Sequence, residues 1–400
     1  MRVSKKYLAP AILAIAGLAL AGCAPTTGGT SPTNDGAAKA PVKVAIITSE
    51  TGPLAGYGEE YLQGFKAGLD YATGGTGKVD GRALDITYTD DAGDSDKAVS
   101  AAKQAIGNGT QIIAGTVSSG IALAVAEQAA QNKILYISGP AAADAITGVN
   151  EYTFRSGRQT IQDVATAGTF VGDLTGKNVL VFAQDTAFGQ GNVAGVKAVL
   201  GAKGANVTGE LVPEDATEFT PFAQKIVAAK PDMVFVAWAG ATTGAMWQAL
   251  SQQGVFKIAP VVTGLANIAS YGAYGPASED ISFLSYYFGG AGGTDVEKAM
   301  ITYLEKNNQQ ADLFTPDGFV AAQMIVQAIK TGGGDDVQKM IKSLEGWSFD
   351  SVKGKLTIRA QDHAVLQPMF QAKLVKSGDT YKPELIKKVD ADTVAPPLAK

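Results

Sequence analysis

Short runs of β-branched and aliphatic residues alternate with helical stretches along most of this chain. Val42–Thr48 reads VKVAIIT, which predicts a buried strand, and residues 57–72 follow with apolar residues at helical spacing. The same pattern predicts further strands at 83–89, 111–114, 134–138, 178–183, 206–212, 232–238 and 259–263. Strands that alternate with helices form βαβ units, whose right-handed crossovers cover both faces of a parallel sheet. Because the pattern restarts near residue 178, it predicts two α/β blocks.

The N-terminus has the pattern of an export signal. Arg2, Lys5 and Lys6 precede an apolar run from Tyr7 to Ala21, which is too short for a comfortable membrane span. The run ends in Leu-Ala-Gly followed by Cys23, the only cysteine of the chain. This ending resembles a bacterial lipobox, in which the thiol is lipidated after cleavage. A plain signal peptide with a chance cysteine is the alternative.

The segment after Cys23 indicates a tether. Residues 24–40 are small or polar with no large apolar side chain, and such a composition does not bury a core. We therefore expect a signal peptide at 1–22, a flexible tether at 23–40 and a folded part from residue 41. The protein is expected to be exported, lipid-anchored to the cell membrane, and to face the periplasm or the extracellular side. Because one acyl chain anchors weakly, stable attachment requires more than one.

Charge and composition exclude several function classes. Removing residues 1–22, which carry three cations and no anion, changes the formal net charge from −5 to −8. No basic stretch remains that could follow a phosphate backbone, so we expect no nucleic-acid partner. His363 is the only histidine, so no metal cluster or catalytic triad can be built from several histidines. We expect no metal and no cofactor.

One sequence pattern favours an enzyme. Residues 189–194 match the dinucleotide fingerprint GxGxxG/A, and Glu210 follows about twenty residues later. The fingerprint should begin where a strand ends, but residues 184–188 intervene, and a lone match of this kind is weak. An exported protein would also lack a supply of nicotinamide cofactor. An NAD-linked enzyme is thus the weaker hypothesis, and we expect no catalytic residues.

The loops after the predicted strands are the candidate binding segments, because ligands of open α/β sheets bind beyond the carboxyl ends of the strands. These loops are rich in Gly, Ser and Thr and almost free of catalytic side chains; they span 49–58, 90–94, 115–120 and 139–142. Asp90 and Asp91 in the second loop are typical of a turn. The loops therefore favour a binding site over an active site.

Six segments together resemble a known family. They read TGPLAGYG at 51–58, DDAGDSDKAV at 90–99, GTVSSGIALAVAE at 115–127, YTFR at 152–155, QDTAFGQG at 184–191 and DGFVAAQ at 317–323. Their order and spacing resemble the type I solute-binding proteins of bacterial ABC importers, most closely the branched-chain amino-acid-binding (Leu/Ile/Val) group. The resemblance implies an α/β fold with two Rossmann-like lobes, parallel sheets and three hinge crossings, which closes on a small solute.

The resemblance also implies a domain organisation and partners. With crossings near 155–156, 286–287 and 352–354, the N-lobe would combine 41–156 with 287–353, and the C-lobe 157–286 with 354–400. The expected partners are a small-molecule ligand and the membrane subunits of an ABC importer, and we expect a monomer. A ligand-sensing role beside a receptor is the alternative.

One part of the expected site would hold a carboxylate. Ser118 and Ser119 lie where a strand gives way to a helix, and capping of the helix alone explains a serine there. A helix N-terminus also attracts anions. In the family, the residue matching Ser119 holds the ligand carboxylate together with backbone N–H groups of the loop that contains Ala141 and Ala142. Family members often have Thr where this chain has Ala142, so the backbone would carry more of the contact.

Four aromatic residues are the candidates for contact with the ligand's apolar body. By resemblance, Tyr57 faces the cleft and Phe188 matches an aromatic residue that covers the ligand. Trp238 ends a predicted strand, where it either lines the cleft or packs a lobe, and Phe314 lies on a late loop.

Thr263 marks a departure from the amino-acid binders. These proteins place an acid at the position that matches Thr263, where it pairs with the ligand ammonium. A desolvated ammonium without a carboxylate is costly, and Asp185 or Glu214 would have to replace the acid. The resemblance implies a branched-chain or related amino acid as the ligand, and the departure at Thr263 makes an aromatic or aliphatic carboxylic acid, or an amide, the alternatives.

Overall fold

The computed structural model describes residues 39–399. The expected signal peptide, Cys23 and most of the expected tether lie outside these residues. Within the part of the chain that is described, no helix has both the length and the apolar character that a membrane span requires.

The first half of the chain alternates strands and helices as the sequence predicts. The strands are β1 (Val42–Thr48), β2 (Lys78–Val79), β3 (Arg82–Asp90), β4 (Ile112–Gly115), β5 (Leu135–Ser138), β6 (Thr153–Arg155), β7 (Asn178–Gln184) and β8 (Asn206–Val212). The helices are α1 (Ala55–Thr73), α2 (Ser95–Gly107), α3 (Ser119–Asn132), α4 (Thr160–Ala167), α5 (Ala187–Val199) and α6 (Thr220–Ala229).

The second half begins in the same way and ends in antiparallel strands. The strands are β9 (Met233–Ala237), β10 (Val261–Gly264), β11 (Ile281–Ser285), β12 (Ser348–Ser351), β13 (Gly354–Ile358), β14 (Val365–Leu366), β15 (Met369–Ser377) and β16 (Thr380–Val389). The helices are α7 (Thr243–Gln252), α8 (Val255–Ile258), α9 (Tyr271–Tyr274), α10 (Asp295–Lys306), α11 (Thr315–Gly332) and α12 (Val337–Leu344). Short 3₁₀ turns occupy 144–146, 201–203, 268–270 and 275–280.

Two large sheets organise these elements. The first has the order β2-β3-β1-β4-β5-β6 and is parallel except for the β2–β3 hairpin. The second has the order β16-β15-β11-β10-β9-β7-β8 and is parallel from β11 to β8. Each carries helices from βαβ crossovers, so the predicted α/β class with two parallel-dominated lobes is confirmed.

The antiparallel edge of the second sheet was not predicted. β15 pairs antiparallel with β11 and with β16, and Gly378 has a φ of +63° at the turn between the last two strands. Residues 380–388 of β16 are mostly exposed and include three lysines, which suits a strand at the open edge of a sheet.

The small third sheet bears on the expected lobe boundary at 353. It consists of β12, β13 and β14, and its buried residues Leu356, Ile358 and Val365 pack in the hydrophobic cluster of the first sheet. Because these side chains share that cluster, and because His363 stacks on Phe154 of β6, residues 354–366 pack with the first sheet. We therefore propose the third crossing after Leu366, where β15 enters the second sheet.

Helices α1 and α11 pack very closely against each other in the first lobe. A Cβ on Gly64 would lie 1.8 Å from the carbonyl oxygen of Thr315, and one on Gly318 would lie 1.9 Å from that of Tyr61. Only glycine permits this approach. It brings the start of α11, with Phe314 and Asp317, to the edge where the two sheets meet.

Candidate functional site

A cavity of about 200 Å³ lies between the carboxyl ends of the two parallel sheets. The first sheet lines it through the loops after β1, β4, β5 and β6, and the second through the loops after β7, β8 and β9. A smaller cavity of about 70 Å³ adjoins it; the residues lining both are Tyr57, Arg158, Phe188, Ala239 and Phe314. Together we call these two cavities the cleft. Its position is the one expected for a ligand of α/β sheets.

The start of α3 forms one end of the cleft. Gly115 and Thr116 both have positive φ, and the Thr116 hydroxyl lies 2.6 Å from the Tyr136 hydroxyl inside the lobe. Thr116 is a non-glycine residue in the left-handed region, a conformation that costs free energy and is concentrated at ligand sites. After this turn, Ser118 precedes α3 and Ser119 begins it, and both residues line the larger cavity.

Unpaired donors surround Ser119. Its Oγ accepts a hydrogen bond from the Ala143 N–H at 3.2 Å, so its own hydroxyl proton is free to donate. The N–H groups of Ala141 and Ala142 are buried and have no hydrogen-bond acceptor among the described residues. Because buried backbone N–H groups are almost always paired, these two indicate a missing acceptor.

Arg158 is a cleft residue that the sequence analysis missed. Its side chain is 11% exposed; Nη1 donates to the Pro140 carbonyl at 3.0 Å, and Nε donates to Asp163 at 3.2 Å. The guanidinium carbon lies 5.5 Å from the ring centroid of Tyr286 and 5.3 Å from that of Phe314. Its place in the loop directly after β6 was a usable signal, since loops after strands carry ligand contacts.

Aromatic side chains line much of the cleft. Tyr57 meets Phe314 edge to face at 4.9 Å between ring centroids. Burial, and next the nearby Glu60 carboxyl, raise the pKa of Tyr57 to about 12, so its phenol stays neutral. Phe188, near the start of α5, lines both cavities.

Trp238 lines the smaller cavity and also packs its own lobe. Its ring lies 5.3 Å from each of Phe182 and Phe219, and its indole N–H donates to Thr242 at 3.0 Å. Both roles considered for this residue from the sequence are therefore compatible with its position.

Thr263 lines the smaller cavity, but its hydroxyl is already used. Oγ1 donates to the Val236 carbonyl of the neighbouring strand at 2.9 Å. Of the acids considered as replacements, Asp185 accepts a bond from Gln190 at 2.8 Å and is not among the residues lining the cleft, whereas Glu214 is exposed at the rim of the larger cavity. Asp163, not considered from the sequence, lines the smaller cavity and pairs with Arg158.

A buried polar cluster lies beside the cleft where the chain passes between the lobes. The Tyr286 hydroxyl donates to Asp317, and burial raises the pKa of Asp317 to about 6. The Lys353 ammonium donates to Gln367 and lies 3.5 Å from the ring centroid of Tyr286. Burial lowers the pKa of Lys353 well below its usual value. This junction cluster thus joins segments at the second and third expected crossings.

Direct hydrogen bonds connect the two lobes at the mouth of the cleft. The Ala241 N–H donates to the Pro53 carbonyl at 3.1 Å, and the Asn267 amide donates to the Glu60 carboxyl at 2.8 Å. Gly240 has a φ of +84°, and a Cβ there would lie 2.8 Å from the Pro53 oxygen. The structure therefore has the two lobes in contact around the cleft.

The dinucleotide-like pattern has a structural explanation. Its first two glycines lie inside α5, and a Cβ on Gly189 would lie 1.8 Å from the Gln184 carbonyl oxygen. This glycine lets the helix approach β7 closely. The segment therefore serves helix-on-sheet packing, and the loop that should cradle a pyrophosphate is taken up by the start of the helix.

The chain matches the model of a protein family described as periplasmic binding protein, over residues 41–379. It is 26% identical to Leu/Ile/Val-binding protein homolog 3 of Brucella melitensis, over 80% of this chain and 88% of that protein. Among solved structures, an ABC-type branched-chain amino acid transporter protein of Rhodopseudomonas palustris is 32% identical, with a TM-score of 0.75 and coverage of 89% of this chain and 99% of that one.

A second solved structure from R. palustris has the same fold as this chain. This solute-binding protein, solved in complex with 4-hydroxybenzoate, is 22% identical, has a TM-score of 0.79 and covers 87% of this chain and 97% of its own. The fold is thus shared between proteins whose names point to different small carboxylates.

Proposed function

This chain belongs to the periplasmic binding protein family, the solute-binding components of ABC importers, and from that premise we propose that it captures a small carboxylate-bearing solute in the cleft. The solute would be held between the lobes and presented to the membrane subunits of the importer. Proteins of this family bind solutes and are not a class of enzymes.

The observation that carries the proposal is the unpaired donor set at Ser119. The hydroxyl of this residue and the buried N–H groups of Ala141 and Ala142 all lack an acceptor that a carboxylate oxygen would supply. The start of α3 adds the positive end of a helix dipole. A carboxylate bound here would satisfy groups that otherwise cost about 1–3 kcal/mol each when buried unpaired.

The rest of the cleft favours an apolar body on the ligand. Tyr57, Phe188, Trp238 and Phe314 provide aromatic surface, and small-ligand sites are mostly apolar with a few placed polar groups. Two ligand classes meet this description. The names of the Leu/Ile/Val-binding relatives favour a branched-chain amino acid. The complexes of structural neighbours with hydroxybenzoates, and the engaged Thr263 hydroxyl, favour an aromatic acid.

A calorimetric screen tests the proposal. Branched-chain amino acids, their deaminated analogues and benzoates would be titrated into the protein, and we expect at least one carboxylate to bind without being converted. Small-angle scattering should show compaction at saturation, because the ligand favours the closed population. Failure of every carboxylate to bind, or turnover of the bound one, would refute a binding-only role.

We also propose that lipidation of Cys23 anchors the protein to the cell membrane, facing the periplasm or the extracellular side. This residue lies outside the described part of the chain, and the support is the lipobox-like sequence that ends at Cys23. Cys23→Ser should release the protein from membranes or leave it unprocessed, with ligand binding retained. Correct cleavage with continued membrane attachment would contradict the anchor.

Transport in vesicles that contain the importer subunits would separate import from a sensory role.

A further inference from the structure

We propose that Arg158 is the specificity-determining cation of the cleft, which pairs with the ligand carboxylate and selects acids over the corresponding amides. The inference rests on the proposed function and adds a residue outside the donor set that supports it. Its basis is the position of the guanidinium, its unused hydrogen-bonding capacity and its pairing with Asp163, the buried acid of the cleft.

Arg158 lies beside the donors already described. Its Nη1 donates to the carbonyl of Pro140, and the next two residues are Ala141 and Ala142 with their unpaired N–H groups. Arg158, Pro140 and Ser119 all line the larger cavity. A carboxylate in this part of the cleft would therefore lie close both to the uncharged donors of Ser119 and the backbone and to the positive charge of Arg158.

The Arg158 guanidinium has N–H groups that make no hydrogen bond within the described part of the chain. Nε and Nη1 are engaged by Asp163 and Pro140, but Nη2 has no acceptor in the described part of the chain. Arg155, three residues earlier, shows the contrast: its Nη1 and Nη2 donate to Thr147 and Ala141 at 2.7 Å each, inside the lobe. The Nε of Arg155 is also unpaired within the described residues, but Arg155 lines neither cavity, whereas Arg158 lines both and can offer its free donors to a ligand.

The surroundings of Arg158 hold it in place. Asp163 fixes the guanidinium from one side, and the rings of Tyr286 and Phe314 flank it. A planar guanidinium held in this way is suited to a carboxylate, which it can bind through two parallel hydrogen bonds. Asp163 is therefore a positioning residue, and Arg158 is the one that touches the ligand.

The acids that line the cleft offer a ligand ammonium no carboxylate of its own. Asp163 and Glu214 are the acidic side chains that line the two cavities, and the first is paired with Arg158 while the second is exposed at the rim. The Oδ1 of Asp163 is buried and unpaired among the described residues, but an ammonium bound there would share the carboxylate with the Arg158 guanidinium, and the two cations would repel each other. The cleft should therefore bind a simple acid at least as well as the matching amino acid.

The test compares two matched pairs of ligands on the full chain by calorimetry: benzoate with benzamide, and 4-methylpentanoate with leucine. We expect each simple acid to bind at least as tightly as its partner. Arg158→Gln should weaken binding of the preferred acid about 10- to 100-fold and leave amide binding within about threefold, because a charge-assisted hydrogen bond is lost. Arg158→Lys should restore part of the preference, since it keeps the charge without the fork of donors.

Arg82→Gln is the matched control. Arg82 is similarly buried, at 10% side-chain exposure, and pairs with Asp335. Neither residue lines the cleft, so loss of Arg82 should leave the acid-to-amide ratio unchanged. If Arg158→Gln does not fold, the ratio is read from Arg158→Lys, in which a fall of about threefold or more supports the proposal. An unchanged ratio in the folded Arg158 variant would overturn the role of Arg158 while the proposed function stands. Failure of the native chain to bind these acids and every other carboxylate of the calorimetric screen would instead refute the proposed function.

Discussion

The two walls of the cleft differ in how they can hold a ligand. The wall from the first sheet presents Ser119, unpaired backbone N–H groups and, just beyond β6, the guanidinium of Arg158. The wall from the second sheet presents Phe188 and Trp238, and the hydroxyl of its Thr263 is bound to its own strand. One wall therefore offers hydrogen-bond donors and a positive charge, and the other offers aromatic surface, so we expect substitutions in the two walls to affect different parts of a ligand.

Trp238→Ala tests the apolar wall and should have the largest effect. The ring packs between Phe182 and Phe219, so we expect unfolding free energy to fall by about 3 kcal/mol, together with ligand affinity. Urea denaturation and calorimetry measure the two quantities. Trp247→Ala is the control, because Trp247 is buried in the same lobe away from the cleft. An equal loss of affinity in both variants would show that Trp238 acts only through stability.

Asp317→Asn tests the junction cluster that lies behind the polar wall. The pKa of Asp317 is raised from 3.8 to about 6, so the folded state holds this proton more tightly than the unfolded state. Stability from this group is thus present at low pH and lost as pH rises from about 4 to about 6. At about 1.4 kcal/mol per pKa unit, the effect is about 3 kcal/mol.

The asparagine variant should therefore lose less stability than the native chain over this pH window, as followed by urea denaturation at several pH values. Asp295→Asn, on the exposed start of α10, is the control. Native and Asp317→Asn curves that stay parallel from pH 4 to 6 would contradict the raised pKa.

Ser119→Ala tests the polar wall directly. Loss of a hydrogen bond to a charged group should weaken carboxylate binding about 10- to 100-fold. Stability should fall by only about 1 kcal/mol, because the Ala143 N–H loses its acceptor. Ser156→Ala removes another buried serine, whose hydroxyl donates to Ser138, and should leave affinity unchanged. Full affinity in the Ser119 variant would place the carboxylate elsewhere.

Thr263→Val should have the smallest effect on ligand affinity, and it tests whether the Thr263 hydroxyl takes part in the apolar wall. Removing the bond to Val236 should lower stability by about 1 kcal/mol, while ligand affinity stays within about twofold. Calorimetry with the native ligand measures this. A tenfold loss of affinity would show that the Thr263 hydroxyl turns towards the ligand and would remove the contrast between the two walls.

The parallel core was predictable from the sequence because buried parallel strands are nearly continuous apolar runs. The predicted bounds of β1 and β8 agree with the structure, and β9 and β10 differ by one or two residues at each end. The β15–β16 hairpin was missed, since its outer strand mixes lysines with apolar residues and resembles a solvated loop.

The site was only partly predictable. Residues that follow strands, such as Ser119 and Tyr57, could be placed beside a cleft from topology alone, and whether they contact the ligand stays a prediction. Arg158 and Asp163 were missed because they follow the strand at which the chain leaves the first sheet, a segment interpreted as a hinge. The partners of the buried Lys353 lie on segments distant in sequence, which no local pattern relates.

The contact between Pro53 and Ala241 uses main-chain atoms only, with Gly240 leaving room for it. Every chain of this shape has the same carbonyl and N–H to offer, whatever its side chains. Substitutions deeper in the cleft can therefore change the chemical preference of the protein without redesigning how the lobes meet. A protein of this shape could then evolve to bind a different solute through few simultaneous substitutions, provided that Gly240 is retained.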